Sequence, residues 1–147
     1  MRRRSLLLLP GILLFGILVG THLPAGMAQA APKAKQRVVI QVSDADPGKW
    51  QLALNNARNV QSDLGKDNVE IEIVAYGPGL DMLKAESKVA AGLAAALDSS
   101  VGLLACENTM QNRHVSRDEI YAGVRFVPAG VTHIMKRQAE GWAYIRP

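Results

Sequence analysis

The 147-residue chain contains one cysteine, Cys106, which closes the apolar run Leu103-Leu104-Ala105 and directly precedes the polar residues Glu107, Asn108 and Thr109. A strand giving way to helix-starting residues at this point would put a thiol in the crevice beyond the carboxyl end of a sheet, where open α/β folds bind ligands. The backbone N–H groups that follow, with Asn108 and Thr109, are then candidates to stabilise a thiolate. A reactive thiol is therefore the first expectation for Cys106. Glu107 works against this, because an adjacent carboxylate disfavours the thiolate unless its side chain turns outward. The competing reading is a buried cysteine that packs as a small hydrophobe.

A second group of candidates ends the apolar segment before Cys106. Tyr76 is followed by Gly77, Pro78 and Gly79, and parallel neighbouring strands deliver their carboxyl ends to one side, so this turn is expected to share the crevice of Cys106. Two glycines permit close backbone approach to a small anion or a partner chain; an ordinary tight turn explains them as well. Neither the dinucleotide glycine spacing nor a P-loop lysine is present, and no cofactor is expected. His114 and His133 share no short metal-ligand spacing with each other or with Cys106, so no metal site is expected. No Gly-x-Ser-x-Gly elbow points to a serine hydrolase.

The amino terminus bears on the compartment. Arg2, Arg3 and Arg4 precede an apolar stretch over residues 6–19, and Ala28-Gln29-Ala30 supplies small residues at processing positions, the pattern of a cleaved signal peptide over residues 1–30. At about 14 residues the apolar stretch is shorter than the ~20 of a spanning helix; an uncleaved anchor is the alternative. A periplasmic or otherwise exported protein with no membrane segment after cleavage is expected. Fourteen basic and thirteen acidic residues then remain, a net charge of +1 against +4 for the whole chain. No basic, aromatic-interleaved patch suggests nucleic acid. A lone cysteine excludes an intrachain disulfide framework, although a disulfide between chains, as in a redox sensor, stays open.

The elements that must position the thiol alternate. Residues 31–36 read as a flexible leader. Strands are expected at 37–43, 69–76, 101–105, 124–127 and 142–145, from β-branched or near-continuous apolar runs. The second of these alternates at its start and is expected to be partly exposed there. Asp46 and Pro47 open a helix whose stripe Trp50, Ala53, Leu54, Ala57, Val60 and Leu64 runs to Gly65. A short turn at 80–85, an alanine-rich helix at 88–97 capped by Ser87, a helix opened by the capping-box spacing Ser116…Glu119, and a last helix with Val131, Ile134 and Met135 as its apolar side complete the set. Lys136 and Arg137 are read there as charges complementing the helix dipole, with Gly141 as terminator. Strand-to-strand gaps of a dozen residues or more imply helical crossovers. One domain over residues 37–147 follows: a three-layer α/β/α sandwich around a mostly parallel five-stranded sheet.

Four segments in this order, Tyr76-Gly77-Pro78-Gly79-Leu80, Ala105 to Met110, Val127-Pro128-Ala129-Gly130-Val131 and Gly141-Trp142-Ala143-Tyr144, resemble the DsrE/DsrF-like family over about residues 37–147. The resemblance implies a parallel five-stranded α/β/α sandwich, assembly as trimers or hexamers, and, as in the sulfur-relay members, carriage of sulfur as a cysteine persulfide between donor and acceptor proteins. Cys106 matches the position of the persulfide-bearing cysteine. Two functions are therefore carried forward: an exported carrier of sulfane sulfur on Cys106, and a non-catalytic oligomeric module that binds a small ligand or partner and in which Cys106 is structural.

Overall fold

The elements that surround Cys106 are described for residues 34–147 by a computed structural model. Five strands are present among these residues: β1 (Gln36–Val42), β2 (Val69–Ala75), β3 (Gly102–Cys106), β4 (Arg125–Val127) and β5 (Ala143–Ile145). They form one sheet in the order β4-β3-β2-β1-β5, and each pairing between neighbours is parallel. The expected signal peptide, and the leader up to residue 33, lie outside the described residues. β1 starts at Gln36, one residue earlier than expected.

Between β1 and β2 runs α1 (Pro47–Leu64), begun as its sequence dictates: the Asp46 carboxylate accepts from the Gly48 N–H at 2.8 Å and Pro47 occupies the first helical position. Trp50, Ala53, Leu54 and Ala57 turn into the core, while Leu64 is exposed. A 3₁₀ segment (Gly77–Leu83) and α2 (Ala90–Asp98) join β2 to β3, α3 (Glu107–Asn112) follows β3 without a break, and α4 (Gly130–Ala139) joins β4 to β5. No helix among the described residues is long and apolar enough to cross a membrane.

Strand alternation divides the interior in two. Val38, Ile40 and Val42 of β1 and Val69, Ile71, Ile73 and Ala75 of β2 face the larger core, under α1, α2 and the 3₁₀ segment. Val39, Val74, Leu104 and Val127 face the other side, where they pack with Ile134 of α4 and Trp142, and Tyr76 borders them. The switch of sides is forced by topology. Successive connections from β1 to β4 step across the sheet one strand at a time, whereas the chain after β4 must return past β3, β2 and β1 to place β5 at the far edge, and a right-handed crossover in that direction lies on the opposite face. Gly79 fits the first of these layers closely: a Cβ on it would stand 2.4 Å from the Val42 carbonyl oxygen.

Several expectations need correction. The capping box forms, with Glu119 accepting from the Ser116 N–H at 2.8 Å, but it opens only a 3₁₀ turn (Arg117–Glu119). The chain then has to extend, since Tyr121 donates to the Leu83 carbonyl and Ala85 donates to that of Glu119, and these bonds hold it against the first layer. The helix expected there instead begins at Glu107. The alanine-rich helix starts at Ala90 rather than residue 88, with Ser87 Oγ accepting from the Val89 N–H. Val131 and Met135 lie on the outer side of α4, and Met135 is 63% exposed.

Candidate functional site

Cys106 is the last residue of β3 and the residue from which α3 departs. Its strand neighbour is Val127 of β4. On its other side β2 ends at the Ala75–Ala105 pairing, and the next residue, Tyr76, is still extended and meets Gly130 of α4 on the same face as Cys106. The connection after β3 enters the larger core through Met110, whereas the connection after β4 enters the smaller one through Ile134. Cys106 thus stands where adjacent strands send their chains to opposite faces, the position at which open α/β sheets form their crevice.

The sulfur has a defined donor. Gly130, the first residue of α4, donates its backbone N–H to Cys106 Sγ at 3.2 Å. Side-chain size makes this approach feasible, because a Cβ on Gly130 would lie 3.1 Å from Tyr76 Cβ and 3.3 Å from Cys106 Cβ. The N-terminus of a helix carries partial positive charge and free N–H groups, so the site is organised to accommodate negative charge. Of the expected donors directly after Cys106, the Asn108 N–H serves elsewhere and donates to the Pro128 carbonyl at 3.1 Å.

The other predicted residues are placed as follows. Thr109 Oγ1 accepts from the Gly77 N–H at 2.9 Å and ties the end of β2 to α3. Arg113 donates to the Gly77 carbonyl and to both oxygens of Asp81, each of the latter at 3.0 Å. Gly77, Pro78, Thr109 and Arg113, with Ala45, Asp81 and Asn112, line a groove beside the crevice. The Asn108 side chain is exposed, and Gly79 is buried against β1. Thr109 and Gly77 are therefore framework for the turn, and Tyr76 and Cys106 are its neighbours on the α4 side. Glu107 forms an ion pair with Arg117, whose guanidinium lies over the Phe126 ring. Cys106 is 5% exposed.

One cluster escaped sequence reasoning. Glu72, expected on a partly exposed strand start, is 1% exposed in the middle of the central strand. Arg137 donates to it twice, from Nε and Nη2 at 2.8 Å each, His133 Nε2 lies 2.7 Å from Oε2, and Arg125 reaches Oε1 at 3.4 Å. An ionised carboxylate only accepts, so the short contact with His133 requires a proton on Nε2. Burial acts to raise the Glu72 pKa, but the hydrogen bonds and charges of Arg137 and His133 outweigh it and hold the carboxyl below its usual range. Arg137 is held more firmly protonated, chiefly by its bond to Glu72. The available signal was the spacing of His133 and Arg137, four residues apart and so on one helix face, above an acidic residue inside an apolar strand. Among the described residues no three His, Cys, Asp or Glu side chains are grouped to hold a metal ion.

An all-parallel α/β sheet with a cysteine at its switch point defines the class of protein. A family model described as the DsrE/DsrF-like family matches residues 34–147, and the chain belongs to that family. Among solved structures it is similar to a protein of unknown function from Methanobacterium thermoautotrophicum, at 37% identity and a TM-score of 0.73, covering 77% of this chain and 100% of that one. It also shares its fold with the ychN protein from E. coli, at 14% identity and a TM-score of 0.63, covering 76% of this chain and 99% of that one. No curated protein matches it.

Proposed function

We propose that this protein is an exported carrier of sulfane sulfur that holds the sulfur as a persulfide on Cys106. The observation that carries the reading is the Gly130 N–H donated to Cys106 Sγ at 3.2 Å, at the amino end of a ten-residue helix and in the crevice at the switch point. Membership of the DsrE/DsrF-like family, whose sulfur-relay members bear a persulfide at the matching cysteine, supports it.

The step is redox-neutral. The Cys106 thiolate attacks the outer sulfur of a persulfide or polysulfide, the bond between that sulfur and its inner neighbour breaks, and the electron pair leaves with the donor as its thiolate. From thiosulfate the leaving group is sulfite. An acceptor thiolate then attacks the outer sulfur of the Cys106 persulfide and restores the original thiolate. The negative charge moves out to the terminal sulfur on loading, and Gly130 with the α4 terminus favours negative charge on either atom. With Cys106 only 5% exposed, the donor that fits is a small one, such as thiosulfate or a narrow persulfide end. The carrier is also proposed to assemble as a trimer or hexamer. The family resemblance supports this, and so do Val131 and Met135, which stand exposed on the outer side of α4.

Intact mass tests the reading. The protein lacking residues 1–30, incubated with polysulfide or thiosulfate, should gain the mass of one sulfur atom, and Cys106→Ser should gain none. The burial of Cys106 favours a second reading, a non-catalytic oligomeric binding module with a structural cysteine. On that reading no adduct forms, and Cys106 reacts with an alkylating reagent only after unfolding.

A further inference from the structure

Glu72 lies outside the crevice, yet it grips the helix that reaches into it. Along β2 and the extended residue that follows it, Glu72, Val74 and Tyr76 alternate toward the α4 face, and along α4 the residues opposite them are Arg137 with His133, Ile134, and Gly130. The helix runs antiparallel to the strand. Four strand residues span about 13 Å and seven helix residues about 10 Å, so the two contacts stand at the ends of one shared length. At one end the Gly130 N–H meets Cys106 Sγ; at the other Glu72 holds Arg137 and His133.

Apolar packing holds α4 only loosely between these points. Of its ten residues only Gly130 and Ile134 are buried, and Val131 and Met135 face outward. Apolar packing through one isoleucine is non-directional and leaves the place of the helix along the sheet unspecified. The Arg137 fork on both oxygens of Glu72 does not, since two parallel charge-assisted bonds fix direction as well as distance. His133, one turn nearer the thiol, adds a third bond to the same carboxylate.

We infer that Glu72 is a positioning residue for the thiol: by clamping His133 and Arg137 it sets the place of α4 along the sheet and so aims the Gly130 N–H at the Cys106 sulfur. The inference rests on the proposed sulfur carriage for its consequence, but the geometry can be tested without it.

Amide exchange and the chemical shift of the Gly130 amide in Glu72→Gln give the direct readout. The neutral amide loses the charge-assisted fork, and Gly130 should exchange faster by on the order of tenfold with a displaced shift, while the Ile40 and Ile73 amides in the central strands keep their protection. Glu140→Gln, which removes the other carboxylate that binds Arg137, should leave Gly130 unchanged. In sulfur uptake from polysulfide, Glu72→Gln should lower the rate at saturating donor and leave the half-saturating concentration alone. An unaltered Gly130 amide in Glu72→Gln overturns the inference. Should that variant fail to fold, His133→Ala is read by the same amide with the same two outcomes. Should the wild-type protein take up no sulfur, the proposed function falls while the amide readout still decides the role of Glu72.

Discussion

At the scale of residues, Glu72 carries a pH dependence that its surroundings dictate. Its pKa is lowered in the folded protein because bonds and charges from Arg137 and His133 outweigh the cost of burial. A carboxyl shifted down on folding stabilises the fold above the unfolded-state value of about 4.3, and that contribution is lost as pH falls through the lower folded value. The stability lost in Glu72→Gln should therefore be full near neutral pH and shrink on acidification below about pH 4.3. Denaturant titrations of both proteins across that range measure it, and a difference independent of pH would contradict it. Cys106 makes a different point at the same scale. Its neighbour Glu107 argued against a working thiol in the sequence, and in the fold that carboxylate is ion-paired with Arg117, ten residues on.

At the scale of elements, the crevice depends on how closely β1 and the turn after β2 can pack. Gly79→Ala would put a Cβ 2.4 Å from the Val42 carbonyl oxygen; backbone must shift, and the variant is expected to be less stable by about 1–3 kcal/mol, read by denaturant midpoint. Wild-type stability would show that the turn yields freely. Most of these elements were legible in the chain, because long apolar periodicities and local caps such as Asp46 and Pro47 act within a few residues. The stretch after Ser116, a 3₁₀ turn rather than a helix, was not, since its capping box is a local signal overruled by bonds from Tyr121 to Leu83 and from Ala85 to Glu119, distant in sequence. The candidate site was half legible for the same reason. Cys106, Tyr76 and the Gly77–Gly79 turn follow from where strands end. The donor Gly130 and the clamp Glu72 depend on a crossover that brings a segment twenty-four residues from Cys106, and sixty-one or more from Glu72, onto one face.

At the scale of the whole molecule, one face of the sheet is covered by several elements and the other, among the described residues, by α4. Val131 and Met135 on that helix and Tyr144 on β5 are exposed, and the proposed trimer or hexamer would give such apolar area a partner. Light scattering on the protein lacking residues 1–30 should return a mass of three or six chains; a strict monomer would contradict the proposed assembly. The central claim, that Cys106 carries sulfur, is tested most directly by intact mass in two steps. Polysulfide should add one sulfur atom to the wild-type protein and none to Cys106→Ser, and a small acceptor thiol added afterwards should remove it and return the original mass. A wild-type protein whose mass never changes, or a gain that persists in Cys106→Ser, would contradict the account.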